Sequence, residues 1–191
     1  DGLYLGYPDG SFIQAVDMVE NPAWATRLSA PERATAALRT IVNQSTGALG
    51  SWTFFDDAGR TVGERQIEDS AYDPRRRPWY NTARTRDGPV SVGPYATAST
   101  RSLAVTLAMP MQKDSSVVVG VDVLLQTVSR LLAREMVSGN ARGYVFDDER
   151  QLIVHSDPAE MERLLAILSA PEKIADELVQ IQDPMLDAVK D

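Results

Sequence analysis

Three extended, apolar-rich stretches, Val90–Ala98, Leu103–Met111 and Val117–Leu125, follow one another with only a few residues between them. Separations of that length belong to hairpins, so an antiparallel meander is the economical reading. The same punctuation runs upstream. In "GLYLGYPDGSFIQAV" the runs Leu3–Tyr7 and Phe12–Val16 flank a Pro8-Asp9-Gly10 turn, and "SWTFFDDAGRTVGERQI" gives a second hairpin turning at Asp57-Ala58-Gly59. Between them, "PERATAALRTIV" puts Ala34, Leu38 and Ile41 on one face of a helix expected over Pro31–Val42, with Ser29 or Pro31 near its start and Gly47 after its end. Leu124, Val128, Leu131, Leu132 and Glu135 follow helical spacing, so the last strand of the meander is expected to run straight into a helix that stops near Gly139-Asn140. A further hairpin starts in "RGYVFDDERQLIVHSD", whose "FDDERQLI" echoes "FDDAGRTV" and hints at a duplicated fold. After Asp157 the pattern is helical or irregular, punctuated by Pro158, Pro171 and Pro184, so a second module begins without enough strands to complete it.

The totals narrow the function classes. A net charge of −8 argues against non-specific nucleic-acid binding, which draws its affinity from clustered Lys and Arg, and no polynucleotide partner is expected. The absence of cysteine excludes disulfides, thiolate zinc sites and cysteine nucleophiles, and fits a periplasmic location. No apolar run reaches the roughly 18 residues of a membrane helix; the longest, "VVVGVDVLL", is interrupted by Asp122. Lacking an initiator Met and opening on a strand-like segment, the chain reads as part of a longer protein.

Against this acidic background, "YDPRRRPWY" gathers three arginines, two prolines and three aromatic rings within Tyr72–Tyr80. A residue before proline avoids the helical region, so Arg77 is expected to be extended, with Pro78 opening a helix through Trp79, Tyr80 and Ala83. A guanidinium fork at a helix start suits a carboxylate guest, and the Trp79 indole offers one more N–H and an apolar wall. The alternative is a set of surface ion pairs, the reading that suits Arg75 and Arg76.

In Val117–Leu125, alternation places Val118, Gly120, Asp122 and Leu124 on one face. A carboxylate in the middle of a sheet needs a partner, either a protein arginine or an ammonium group on a ligand, and Gly120 leaves room for the latter. By the same parity Ala104, Thr106 and Ala108 share a face, which serves as a cavity wall or as the seat of a helix.

With these residues assembled, the chain resembles the double Cache family: extracytoplasmic sensor domains of bacterial membrane receptors, made of two PAS-like modules behind a long N-terminal helix. The resemblance rests on Tyr72, Arg77, Trp79 and Tyr80 in "YDPRRRPWY", Tyr95 in "VGPY", Thr100 in "TASTR" and Asp122 in "VGVD", and runs from Leu3 through His155. "GYPDGSFIQA" and "WTFFDDAGR" look like the upstream hairpins of members fused to nucleotide cyclases. In amino-acid-binding members the positions matching Arg77 and Trp79 hold the ligand carboxylate, that matching Asp122 holds the amine, and the matching tyrosines complete the pocket. Many of those members carry an aspartate two residues after the tyrosine matching Tyr95, where this chain has Thr97. Arg101 stands where glycine is common, favouring a second carboxylate on the ligand or lying at the surface.

The resemblance therefore implies an α+β, PAS-like Cache domain, a central antiparallel sheet flanked by helices, plus a partial second module. The expected division is a ligand-binding module over 1–125, a connecting helix over 126–141 and the partial module over 142–191. The expected ligand site is Tyr72, Arg77, Trp79, Tyr80, Tyr95, Thr97 and Asp122, taking a small carboxylate-bearing metabolite such as an amino acid. Catalytic residues, metal and cofactor are not expected, and the parent protein is expected to be anchored in the membrane through its flanks. The alternative is a non-liganded dimerisation or protein-contact module of the same fold. Met161, Leu164, Leu165 and Leu168 form an apolar stripe suited to core packing or to a homodimer contact. His155, the single histidine, has no nucleophile-elbow pattern beside it, and the Asp56-Asp57 and Asp147-Asp148 pairs lack EF-hand spacing and read as turn residues.

Overall fold

The protein is described by a computed structural model over residues 2–44, 47–67, 71–97, 100, 102–136, 138, 140–147 and 152–168. Arg101, Gly139, Asp148, Pro171 and Pro184 lie outside the described residues, as does the tail of the expected second module. Ten strands and four helices are described: β1 Gly2–Gly6, β2 Phe12–Asp17, α1 Ala23–Leu28, β3 Ala36–Gln44, β4 Gly47–Phe55, β5 Thr61–Ile67, α2 Pro78–Ala83, β6 Val90–Ala96, β7 Leu103–Met111, β8 Asp114–Leu124, α3 Leu125–Glu135, β9 Tyr144–Phe146, β10 Leu152–His155 and α4 Pro158–Leu168. The first eight strands form one sheet in the order β5-β4-β3-β2-β1-β8-β7-β6, and β9 and β10 pair by themselves. The fold is α+β, built on a large antiparallel sheet, as expected from the sequence.

The hairpins follow from their turns. Gly10 takes φ +91° after Tyr7-Pro8-Asp9, a conformation that favours glycine. The β4–β5 turn is closed by Asp56, whose carboxylate accepts from the backbone N–H groups of Ala58 and Arg60 and from the Arg60 guanidinium. β8 passes directly into α3, as the change from alternating to helical spacing at Leu124 predicts.

The helix expected over Pro31–Val42 is not formed. Pro31–Thr35 is a turn, with Ala34 N–H bonded to the Pro31 carbonyl, and the chain then extends as β3 between β2 and β4. Its buried members, Ala37 and Ile41, stand four apart, a spacing common to both periodicities. The β-branched run Thr40-Ile41-Val42 and two waiting strand edges decide for the strand. A short helix that the sequence reading missed, α1, precedes it.

The chain divides into two compact units: residues up to Gly93 with Val105–Val123, and Pro94–Ala104 with the chain from Leu124 onward. In the first, α1 and α2 cover one face of the sheet over two apolar clusters. Tyr4, Phe12, Ile41, Val118 and Ala108 pack with Trp79, Tyr80 and Ala83 of α2. Val16, Ala37, Trp52 and Phe54 pack with Trp24 and Leu28 of α1. A Cβ at Gly6 would lie 2.8 Å from the Trp79 ring and 2.9 Å from that of Tyr80, so glycine is what lets α2 seat on β1. The opposite parity leaves Leu3, Leu107 and Val121 exposed. In the second unit, Met161 and Leu164 of α4 are buried, and Ser129 of α3 donates to the His155 carbonyl at 2.7 Å. No helix among the described residues is long and apolar enough to cross a membrane.

Candidate functional site

The register aligns a row of side chains across the first unit: Gly120 faces Tyr4, Tyr4 faces Gln14, Gln14 faces Arg39 and Arg39 faces Trp52. Directly opposed residues point to the same face. To one side lies the row Val118, Gly6, Phe12 and Ile41, which belongs to the α2 cluster. To the other lies Val16, Ala37 and Phe54, which belongs to the α1 cluster. A polar band is therefore held between two apolar clusters.

Tyr4 crosses over Gly120, which has no side chain to obstruct the ring. This carries the phenol to Asp122, the next residue of β8 on the same face: Tyr4 donates to Asp122 Oδ1 at 2.5 Å, and the Thr106 hydroxyl donates to the same oxygen at 2.6 Å. The two hydroxyls stand 3.2 Å apart. The partners the sequence reading weighed for Asp122 were an arginine and a ligand ammonium; the structure adds two neutral hydroxyls on that oxygen.

Arg77 is extended (φ −98°, ψ 139°) and Pro78 begins α2, as the X-Pro rule predicts. Six residues make α2 too short for its dipole to matter much, so the guanidinium itself is the relevant charge. Arg75 and Arg76 are exposed, and Arg75 pairs with Asp73 at 2.8 Å. Arg77 is half-buried and its guanidinium sits 6.0 Å from the Tyr72 ring centre. Among the described residues it has no carboxylate partner.

Tyr72 is the hub. Its ring packs 4.6 Å from Phe12, and the Arg39 guanidinium lies 5.2 Å from its centre on the way to Trp52. Burial pushes its phenol up to about 12. A hydrogen bond from Trp79 and the charges of Arg77 and Arg39 oppose that rise, while Asp122 adds to it. Trp79 is buried, with its ring 4.7 Å from that of Tyr4 and 6.5 Å from that of Phe12. Burial holds Arg39 below the usual guanidinium value, with the Tyr72 phenol opposing that shift.

The other expected residues take different places. Tyr80 is fully buried and its hydroxyl donates to the Ser116 carbonyl at 3.0 Å. Tyr95 and Thr97 belong to the second unit. Thr97 is buried with its hydroxyl 2.9 Å from that of Thr100, and its N–H donates to Ser102. His155 is packed, not poised: its Nδ1 accepts from Asp157 N–H at 2.8 Å and its ring stands edge-on to Tyr144. Among the described residues no three His, Cys, Asp or Glu side chains gather.

Sequence reasoning missed Tyr4, Gln14 and Arg39. Each left a signal: a tyrosine between two glycines on one face of "GLYLG", a glutamine in the apolar alternation of "FIQAV", and an arginine whose face was misassigned because β3 was read as a helix.

The chain is 35% identical over 167 residues to adenylate cyclase 1 of Rhizobium meliloti (strain 1021), covering 87% of this chain and 25% of that protein. It is 30% identical over 125 residues to methyl-accepting chemotaxis protein PctB of Pseudomonas aeruginosa, covering 62% and 20%. The solved ligand-binding domain of the Campylobacter jejuni chemoreceptor Tlp3, in complex with 4-methylisoleucine, aligns at a TM-score of 0.46 and 12% identity over 84% of this chain and 45% of that one. No family model matches the chain. The chain spans a quarter or less of the length of these two curated relatives. Its motifs in order along a hairpin-built α+β sheet, together with chemotaxis receptors and a cyclase as relatives, are consistent with a Cache-type sensor domain.

Proposed function

We infer that this domain is the extracytoplasmic, ligand-binding part of a membrane-anchored signalling protein, and that it takes a small carboxylate-bearing metabolite such as an amino acid. The observation that carries the reading is that Arg77 lies 6.0 Å from the centre of the Tyr72 ring with no carboxylate partner among the described residues, and that the same aromatic cluster, through Phe12 and Tyr4, reaches Asp122. A guest carboxylate sits on Arg77, and a guest ammonium adds to the Tyr4 and Thr106 hydroxyls already on Asp122. Trp79 acts by walling the site and Tyr80 by fixing α2. Residues 1–125 act as the binding module, and 126–141 pass the signal toward the module begun at 142. No covalent step is involved.

Thermal unfolding with a panel of amino acids and organic acids tests this. A ligand at 100 times its dissociation constant adds about 2.7 kcal/mol of stability, and Arg77→Ala is expected to abolish that gain while folding normally. A panel without any stabilising carboxylate would overturn the reading and favour a protein-contact module, whose melting temperature would instead rise with protein concentration.

A further inference from the structure

The second unit carries a groove of its own. A cavity of about 310 Å³ opens between α3 and α4, with Arg130, Ala133 and Arg134 along its α3 side and Pro158, Met161 and Leu165 along its α4 side. On α4 that apolar line covers roughly 10 Å of helix. Arg130 and Arg134, one turn apart, are exposed, and neither meets a carboxylate among the described residues; Arg130 donates to the Thr127 hydroxyl at 3.2 Å. Glu162 stands on the α4 side. The groove therefore has an apolar floor, a cationic edge at α3 and an acidic edge at α4.

α4 ends at Leu168, close to the Leu165 end of the groove, and residues 169–191 lie outside the described residues. Their sequence carries six carboxylate side chains against Lys173 and Lys190. Within it Ile174, Leu178 and Ile181 stand at i, i+4 and i+7, the spacing of one helical face, and that face is also roughly 10 Å long. Glu177 borders the stripe, three residues after Ile174 and four before Ile181. Residues 169–173, with Pro171 among them, are as long as common helix–helix connections. We propose that the α3–α4 groove receives segment 174–181 of the same chain, with the apolar stripe on Ala133, Met161 and Leu165 and with Glu177 toward Arg130 and Arg134. Glu162 opposes the reverse orientation, which would set two carboxylates together. This docking is independent of the ligand reading above.

The chain has no cysteine, so introduced thiols report the contact without background. In the 191-residue chain, Ala133→Cys is combined with a second cysteine at Ile174, Leu178 or Ile181 on the stripe, or at Asp176 or Val179 away from it, and oxidised with copper phenanthroline. Non-reducing electrophoresis and mass spectrometry are expected to show an intramolecular disulfide that forms at least fivefold faster at the best stripe position than at 176 or 179. Arg134→Glu is expected to slow that reaction severalfold, and Glu177→Lys added to it to restore the rate. Ala133 and Arg134 are both exposed, so these variants are expected to keep the fold, which the far-ultraviolet circular dichroism checks. Equal rates at stripe and off-stripe positions, or no disulfide at any of them, would overturn the proposal. Disulfides formed between two chains would overturn it as well and give the groove to a second copy.

Discussion

At the scale of single residues, the site depends on a glycine and a tyrosine that exchange room. Because Tyr4 lies across Gly120, a methyl group there would occupy the space of the ring. Gly120→Ala is expected to cost about 1–3 kcal/mol in urea denaturation and to loosen the hydrogen bonds to Asp122. A second prediction concerns Tyr72. Between about pH 10 and its folded value of about 12, the folded state keeps a proton that the unfolded chain has lost. Stability is therefore intact below pH 10 and falls as pH rises through that window. Tyr72→Phe is expected to flatten the alkaline limb of a melting-temperature profile, with a residual slope from Tyr80, whose burial also raises it. A variant whose alkaline limb is as steep as before would refute the buried placement of this phenol.

At the scale of elements, the β4–β5 hairpin hangs on Asp56. Its hydrogen bonds from Arg60 and Ala58 hold its carboxyl below the usual value of 3.8. The stability it contributes is thus complete above that value and is lost as pH falls through the depressed one. Asp56→Asn is expected to shallow the acid limb of the same profile, leaving the shares of Asp73 and Asp114, which are shifted the same way. Hairpins of this kind were the legible part of the sequence, since "YPDG" and "DDAG" turns and period-two alternation are local signals. The β8-to-α3 passage was legible for the same reason. What failed was β3: Ala37 and Ile41 fit either period, and the arbiter was the pairing edges of β2 and β4, which no local window contains. That error propagated into the site, hiding Arg39. The extended backbone at Arg77 and the face shared by Gly120 and Asp122 could be read because a proline and a glycine constrain them locally. Gln14 and Tyr4 gain their meaning from cross-strand register, and register is a property of the assembled sheet.

At the scale of the whole molecule, the order of strands carries a cooperative demand. β1 lies between β2 and β8, so the β2–β5 hairpins and the β6–β8 meander are joined through the first strand of the chain. A chain ending at residue 112, lacking β8, is expected to show no cooperative urea transition in Trp fluorescence, although it keeps Trp24, Trp52 and Trp79. A sharp transition in that truncation would mean that the N-terminal strands form a self-sufficient body. The placement of β1 also bears on how the protein is made. Leu3 and Leu5 leave the ribosome well before Val121 and Val119, which they meet only after more than a hundred further residues. At 5–20 residues per second the delay is on the order of ten seconds. During that interval one edge of the nascent β1–β2 hairpin stays open to any passing strand. The yield of correctly formed protein in a cell should therefore track translation speed and holdase supply more closely than the equilibrium stability of the finished domain.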